Sequence, residues 1–375
     1  MNEHADTRRG VDRTIRPRSD LRAVALAGLL ACAVWVAPAM AETVKLTYDD
    51  SSAAGKVITP AYVRRRLGRV KGGPTSSYVT IAEERVPLKF GRRGRISFVG
   101  ADSDGDGKIG AREICPITGG TARLKVRVNS APLMITLVKV QLRTNEGKIT
   151  SVDGMVQPAC GRTGSLGGAK VSLIDQNLDG KITQDGSDAI RIGRSLIAQS
   201  LGKVHAIGGR HYRLAVGSDG NSIEADPISG EKLAVVKFAL NSPSLKGLIL
   251  QSDDGQVYDL VRSAKTGLLP GKYRLKFGML VSGKNVVPIL PRKDSLSYEL
   301  KGGKLNTIRL GGPVRMQFGA SYSDGKVTVG GMIYPVGDGG EEYIVSLGAG
   351  DGVPAPEIGF YEGKRRLAGG RMGYG

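Results

Sequence analysis

The chain has 375 residues, with 54 lysines and arginines against 35 acidic residues, and 55 glycines. Glycine is about twice as frequent as in an average protein, yet the apolar fraction of 40% is ordinary and no Gly-X-Y period occurs. Collagen-like, silk-like and disordered low-complexity chains are therefore excluded, and the length predicts two to four folded domains.

Residues 1–41 are predicted to be a secretory signal peptide. Arg16, Arg18 and Arg22 directly precede an unbroken apolar run from Ala23 to Ala37, and the small-residue triplet Ala39-Met40-Ala41 follows it. The run is shorter than the ~20 residues that span a bilayer, so a cleaved leader is favoured over an anchor. We expect cleavage after Ala41, a periplasmic, extracellular or cell-surface location, and no membrane span afterwards. Lipidation of Cys32 is an alternative that the sequence leaves open.

The exported part of the chain carries the positive charge. Removing residues 1–41 takes away six arginines and four acidic residues, which leaves 48 basic and 31 acidic residues and a net charge of +17. Four clusters stand out: Arg64-Arg65-Arg66, Arg92-Arg93-Gly94-Arg95, Arg123 to Arg127, and Lys364-Arg365-Arg366. They are either solvated surfaces or an anion-binding surface. No nucleic-acid-binding motif accompanies them, so the expected polyanion is a cell-surface polysaccharide and not nucleic acid.

The sequence after Glu42 predicts an all-β fold of tandem small β-sandwich modules. Short runs of alternating apolar and polar residues end at Gly, Pro, Asn or Asp, as expected of strands with one buried face. The clearest are residues 95–99, 170–174, 211–216, 272–277 and 342–347. Helical patterns are scarce, with one candidate at Thr59 to Leu67 and a short turn after Gly110.

Breaks in composition divide the exported chain into four predicted modules, at 42–118, 119–240, 241–303 and 304–375. Within the third, the stretch from Gly267 to Leu275 reads G-L-L-P-G-K-Y-R-L and resembles the turn-and-strand signature of prealbumin-like and carboxypeptidase-regulatory-like β-sandwich modules. The strand spacing of the last module suits a small Ig-like sandwich.

The segment from Asp102 to Glu113 predicts a calcium site. Calcium binds six to eight oxygen atoms, and carboxylates recur at loop positions 1, 3 and 5, which are Asp102, Asp104 and Asp106. Position 6 is a glycine that allows a sharp turn, Lys108 at position 7 offers its backbone carbonyl, and Glu113 at position 12 can bind through both oxygens. Three neighbouring aspartates would repel one another without a cation.

This pattern resembles the twelve-residue EF-hand loop, and the resemblance implies a Ca²⁺ ligand set of Asp102, Asp104, Asp106, Lys108 and Glu113. The flanks differ from that family, because a predicted strand precedes the loop and Pro116 follows it closely. We therefore expect an EF-hand-like loop set between strands, without the opening motion of a helix-loop-helix sensor.

A second loop begins at Asp175 and matches the pattern less completely. Asp175, Asn177 and Asp179 occupy positions 1, 3 and 5, and Lys181 occupies position 7, but Gly186 stands at position 12. Asp185 and Asp188, at positions 11 and 14, are the candidate replacements for the missing closing ligand. The alternative is an ordinary Asx-Gly hairpin turn without an ion. The surrounding stretch resembles a segment that recurs in secreted bacterial proteins of unknown function.

Two cysteines remain after the predicted cleavage, Cys115 and Cys160. In an oxidising compartment an even pair predicts a disulfide, and two buried thiols are the alternative.

The motifs of common enzymes are missing from the sequence. It contains no G-x-S-x-G, H-E-x-x-H or phosphate-binding loop motif, and the two histidines of the exported part, His205 and His211, have no neighbouring nucleophile motif. The sequence therefore favours a secreted, non-enzymatic, calcium-binding protein of the cell envelope or exterior. The alternative is a secreted hydrolase or carbohydrate-binding accessory protein with structural calcium, which would need two carboxylates in a concave pocket outside the calcium loops.

Overall fold

A computed structural model of the chain describes residues 40–50, 65–69, 75–129, 131–238, 240, 244–282, 285–311, 313–344 and 357–371. All of them belong to the unit Ala39–Gly375. The prediction of an all-β protein is confirmed: in these ranges the helices are one 3-10 turn, Ala111–Glu113, and one short α-helix, α1, Leu260–Ser263. The predicted signal peptide lies outside the described residues except for its last two.

The strands are, in chain order, β1 Glu42–Lys45, β2 Thr47–Asp49, β3 Arg65–Arg66, β4 Gly68–Arg69, β5 Ser76–Ile81, β6 Glu84–Arg93, β7 Ile96–Gly100, β8 Ile114–Ile117, β9 Ala122–Val128, β10 Ala131–Asn145, β11 Lys148–Pro158, β12 Gly161–Leu166, β13 Ala169–Ile174, β14 Ala189–Ile192, β15 Gln199–Ser200, β16 Val204–Ile207, β17 Arg210–Val216, β18 Ser222–Ile228, β19 Val235–Phe238, β20 Leu245–Ser252, β21 Gln256–Asp259, β22 Gly271–Ser282, β23 Asn285–Leu290, β24 Ser297–Leu300, β25 Leu305–Ile308, β26 Arg315–Ser323, β27 Lys326–Val336, β28 Glu342–Tyr343, β29 Glu357–Glu362 and β30 Arg365–Arg371.

Two antiparallel sheets form the N-terminal body, which is the part of the chain between residues 65 and 158. One sheet has the order β4-β5-β6-β7-β8 and the other the order β3-β11-β10-β9. Every second residue of β5, β6 and β9 is buried, which is the period that a strand with one buried face requires. These residues share one hydrophobic core, in which Val79, Leu88, Leu124 and Ile135 are almost completely buried.

The remaining strands form a five-stranded sheet, a twelve-stranded sheet and two strand pairs. The five-stranded sheet has the order β15-β14-β13-β12-β2. The large sheet has the order β1-β18-β17-β16-β21-β20-β22-β23-β28-β27-β26, with β24 also paired to β22. The pairs are β19 with β25, which is parallel, and β29 with β30, which is antiparallel.

The module boundaries remain predictions, although the cores constrain them. The core of the N-terminal body draws residues from both sides of position 118. Strands from both sides of position 240 hydrogen-bond within the twelve-stranded sheet, where β16 pairs with β21. A second core joins β1, β17 and β18 to β12, β13 and β14.

Most of the individually predicted elements lie where the sequence placed them. Strands cover the runs at 95–99, 170–174, 211–216 and 272–277, shifted by one residue or extended at their ends, and β28 covers the start of the fifth run. The 3-10 turn Ala111–Glu113 occupies the turn predicted after Gly110. The helix predicted at 59–67 lies outside the described residues up to residue 64, and Arg65–Arg66 form a strand instead.

The predicted disulfide between Cys115 and Cys160 is wrong, because both residues are free thiols. Cys115 lies on β8 opposite Val99, in the sheet of β4 to β8. Cys160 lies between β11 and β12, where its buried thiol contacts the Tyr48 side chain. The two cysteines thus lie in different parts of the fold, and burial raises the pKa of each thiol.

In the described part of the chain, no helix is long and apolar enough to cross a membrane.

Candidate metal centre

The first loop, residues 101–113, connects two neighbouring strands of one sheet. β7 ends at Gly100 and β8 begins at Ile114, and these two residues are register partners in the antiparallel pair. The loop therefore leaves and re-enters the sheet at the same point. This is the strand context that the sequence predicted for the EF-hand-like pattern.

The three aspartates of this loop converge. One carboxylate oxygen each from Asp102, Asp104 and Asp106 lies within 4.8 Å of the others, and this is the one such group of acidic, histidine or cysteine side chains among the described residues. Two oxygens bound to one calcium ion at about 2.4 Å lie at most about 4.8 Å apart. The spacing of the triad is therefore compatible with a shared ion of that size.

Backbone N–H groups hold the triad in place. The two oxygens of Asp102 accept hydrogen bonds from Gly105 N at 2.6 Å and Gly107 N at 2.9 Å. Asp104 Oδ1 accepts from Asp106 N at 3.1 Å, and Asp106 Oδ1 accepts from Lys108 N at 2.8 Å. Gly105 and Gly107 have φ values of 84° and 80°, a left-handed conformation that glycine adopts without steric cost.

Glu113 closes the loop by bonding to its backbone. Its Oε1 accepts hydrogen bonds from Ser103 N at 2.5 Å and Ser103 Oγ at 2.7 Å, and a longer one from Asp104 N. Its Oε2 accepts one bond, from Gly110 N at 2.8 Å. The Gly110 and Ser103 donors lower the pKa of Glu113 to about 2, so the side chain is an anion at neutral pH. Glu113 is not part of the triad, and its Oε2 retains capacity for a further partner.

A residue of the opposite sheet supports the loop, and the sequence analysis did not identify it. Arg127 on β9 donates from Nη1 to the backbone oxygen of Asp104 at 2.7 Å. Arg127 belongs to one of the basic clusters, which the sequence analysis interpreted as either a solvated surface or an anion-binding surface. No local pattern could have found this contact, because it depends on how the two sheets pack.

The second loop, residues 175–188, occupies an equivalent position between β13 and β14. Ile174 and Ala189 are register partners, so this loop also leaves and re-enters an antiparallel pair at one point. Asp175 accepts from Asp179 N at 3.1 Å and Gly180 N at 2.9 Å. Asn177 Oδ1 accepts from Asp179 N, and Asp179 Oδ1 accepts from Lys181 N.

The two loops share the bonds accepted at positions 3 and 5 and the bond from position 6 to position 1. Asp188 replaces Glu113 as the closing residue. Asp188 Oδ1 accepts from Gln176 N at 3.0 Å and Oδ2 accepts from Thr183 N at 2.7 Å. Gln176 and Thr183 are positions 2 and 9 of their loop, as Ser103 and Gly110 are of the first. The second loop has two more residues before its closing carboxylate, and aspartate is one methylene shorter than glutamate.

The second loop is more buried than the first. Asp188 is completely buried, whereas Asp104 and Asp106 are exposed. Burial raises the pKa of Asp175 to about 6, and the charges of Asp188 and Asp179 act in the same direction. Asn177 Nδ2 donates to Asp179 Oδ2 at 2.8 Å, so two predicted ligands bond to each other. Asp185 lies outside this arrangement and accepts from Ser187 N and Thr183 Oγ1.

One side chain of the second loop belongs to the core of the N-terminal body. Leu178 is 1% exposed and packs among the residues of that core. Its backbone oxygen accepts a hydrogen bond from Ala82 N, at the turn between β5 and β6, at 2.8 Å. Lys108 and Lys181, at position 7 of their loops, are both exposed, as expected of residues that would contribute only a carbonyl.

The two histidines are structural residues in this fold. His205 is completely buried and its Nε2 accepts from Gly202 N at 3.0 Å, while burial lowers its pKa to about 4. His211 is 4% exposed and its Nδ1 lies 3.1 Å from the Tyr258 hydroxyl.

A groove of about 540 Å³, here called the neutral groove, holds two carboxylates outside the loops, Glu231 and Asp254, and both side chains are exposed.

Comparisons with known proteins give no match. The chain matches no protein-family model, no curated protein and no solved structure.

Proposed function

We propose that this chain is an exported, non-enzymatic calcium-binding protein of the cell envelope or exterior. The proposal rests mainly on the triad of Asp102, Asp104 and Asp106, whose oxygens are spaced for one ion. Three carboxylates at this spacing, with Asp102 half-buried and the other two exposed, repel one another, and a divalent cation removes that repulsion. Calcium suits the triad better than magnesium, because magnesium gives up its bound water reluctantly.

In this proposal the first loop is an EF-hand-like site within β structure. Lys108 contributes its backbone oxygen and Glu113 contributes Oε2, which accepts only one hydrogen bond from the protein. The second loop, closed by Asp188, is proposed as a weaker site. The finer description of the fold as tandem prealbumin-like and Ig-like modules is part of the same proposal, as are export and an anionic cell-surface polysaccharide as partner.

The effect of the ion follows from binding linkage. Extracellular calcium modules commonly have Kd values of roughly 0.1 to 1 mM. At about 1 mM free calcium, such a site stabilises the folded chain by roughly 0.4 to 1.4 kcal/mol. That is enough to order a loop and too little to fold a domain. Calcium here acts as a structural clamp between the ends of two strands.

Calorimetric titration of the chain from Glu42 onward, stripped with chelator, tests the proposal. We expect saturable calcium binding that the double variant Asp104→Asn/Asp106→Asn weakens roughly a hundredfold, because ligand charge sets affinity. Glu113→Ala should also weaken it. The matched control is Asp226→Asn/Asp324→Asn, which removes the same charge elsewhere. No heat and no change in melting temperature up to about 10 mM calcium would refute the proposal.

A secreted hydrolase is the second candidate function, favoured by Glu231 and Asp254 in the neutral groove. Two carboxylates flanking a substrate are the usual requirement of glycoside hydrolysis. Release of reducing ends from a polysaccharide, lost in Glu231→Gln/Asp254→Asn, would support it. Equal release by that variant and the unchanged protein would refute it.

A further inference from the structure

One groove of the molecule concentrates positive charge. It has a volume of about 680 Å³, and its lining carries Arg274, Lys276, Arg292 and Lys293 against one lining carboxylate, Asp253. Arg292 is also paired with Asp294 beside the groove, which leaves a net excess of positive charge. The neutral groove, by contrast, balances Lys203 and Arg213 with Glu231 and Asp254. A cavity of about 270 Å³ next to Cys160 balances Arg162 with Asp175. The excess of cations is therefore a property of this groove, here called the basic groove, and not of every depression in a cationic protein.

The floor of the basic groove is a row of polar residues across three strands. Arg274 on β22 is the register partner of Gln251 on β20 and of Ser297 on β24. Arg274 and Lys276 on β22 are exposed, whereas Tyr273 and Leu275 beside them are buried in one core. Two residues along a strand correspond to roughly 7 Å, so the cations form a row and not a single point.

The rim of the basic groove is held in a fixed shape. Ser295 Oγ accepts from Arg292 N at 2.7 Å and donates to Gly340 O at 3.0 Å. The Arg292 guanidinium lies 5.8 Å from the centre of the Tyr334 ring and bonds to Asp294 at 3.2 Å. A rim ordered before binding loses little conformational entropy when a ligand arrives. Lys293 beside it is exposed and available to a ligand.

We propose that the basic groove binds an acidic polysaccharide through its repeated anionic groups. Arginine matches carboxylate with two parallel hydrogen bonds, and the Gln251 amide and Ser297 hydroxyl can bond sugar hydroxyls. Single-stranded nucleic acid is disfavoured, because its binding sites stack bases on aromatic rings and the described lining of the basic groove has none. The choice of partner rests on the proposed function, whereas the basic groove itself contains no residue of either calcium loop.

The test measures binding of polygalacturonate to the exported protein in the presence of chelator. We expect Arg274→Glu/Lys276→Glu to weaken binding at least tenfold. Lys203→Glu/Arg213→Glu, which makes the same change of charge in the neutral groove, should alter it less than twofold. Lys293→Glu alone should weaken it several-fold, which keeps the test valid if the first double variant does not fold. Dextran sulfate in place of polygalacturonate shows whether sulfate serves as well as carboxylate.

Three results would overturn the inference: equal weakening by the two double variants, equal binding of uncharged dextran, or tighter binding of DNA than of polygalacturonate at the same salt concentration. Because chelator is present throughout, failure of glycan binding leaves the calcium proposal standing. Loss of the calcium site likewise leaves the glycan result unaffected.

Discussion

The two loops at 101–113 and 175–188 achieve the same closure with different residues. Both connect neighbouring antiparallel strands, and both use a carboxylate to hold the N–H groups of positions 2 and 9. The first uses Glu113 near the surface, and the second uses the fully buried Asp188 two positions later. The difference shows that a carboxylate can close the loop wherever its oxygens reach the N–H groups of positions 2 and 9. Its position in a twelve-residue pattern is not decisive.

The two loops differ in burial, and their polar side chains have different bonding partners. The three aspartates of the first loop, of which Asp104 and Asp106 are exposed, have oxygens within 4.8 Å of one another. In the second loop, the polar side chains bond to one another and to the backbone, and Leu178 packs into a core. We therefore expect an ion to stabilise the first loop more than the second. We expect a substitution to destabilise the second loop more than the first.

The largest expected effect is on stability, from Asp188→Ala. This change leaves the buried N–H group of Gln176 and the half-buried N–H group of Thr183 without their carboxylate partner, and should cost about 2 to 4 kcal/mol of unfolding free energy. Glu113→Ala should cost less, because water can reach the N–H groups it leaves. Asp185→Ala is the control from the same loop. Urea unfolding without calcium measures the unfolding free energy of the three variants. Equal losses for Asp188→Ala and Glu113→Ala would show that burial does not distinguish the two closing carboxylates.

A smaller effect is expected from alanine at the position-6 glycines. Gly107 and Gly180 have φ values of 80° and 83°, so alanine is strained at either position, by about 1 kcal/mol. A Cβ on Gly180 would also lie 2.8 Å from the Cβ of Ala82, whereas one on Gly107 would meet nothing within 4 Å. We therefore expect Gly180→Ala to lower the melting temperature more than Gly107→Ala. The reverse order would show that the second loop does not press against the turn between β5 and β6.

The smallest expected effect is on the pH dependence of calcium binding. Asp175 must lose its proton to bind calcium, and its pKa is about 6, so affinity at the second loop should fall about tenfold between pH 7.5 and pH 5. Glu113, with a pKa of about 2, stays ionised over that range. Titrations of Asp104→Asn/Asp106→Asn, which isolates the second loop, should show the fall. An unchanged affinity there would exclude Asp175 as a ligand.

Without calcium, the effect of pH on stability through Asp175 is opposite to its effect on calcium binding: a lower pH favours the folded chain. Because its pKa in the folded chain is raised above the ordinary value of 3.8, its contribution is most favourable below that value and is lost as the pH rises through about 6. Bound calcium would remove this penalty at neutral pH. Comparing unfolding at pH 7.5 and pH 5 with and without calcium therefore separates the two contributions.

The sequence was sufficient for features that depend on local pattern. Alternation of apolar and polar residues predicted the strands at 95–99, 170–174, 211–216 and 272–277 and the start of the run at 342–347. The spacing of Asp102, Asp104 and Asp106 predicted their convergence. The features that could not be predicted depend on tertiary placement. Cys115 and Cys160 are an even pair in the sequence but lie in different parts of the fold as free thiols. Arg127 reaches the first loop only because two sheets pack together.

The position of Leu178 has a consequence for the order in which the chain acquires its structure. A chain that emerges from its N-terminus presents β3 to β11 before it presents residue 178, yet that leucine completes the core those strands form. Until the following hairpin is in place, this core therefore lacks one of its side chains. The packing of Leu178 also joins the N-terminal body to that hairpin, so the two folding events are coupled.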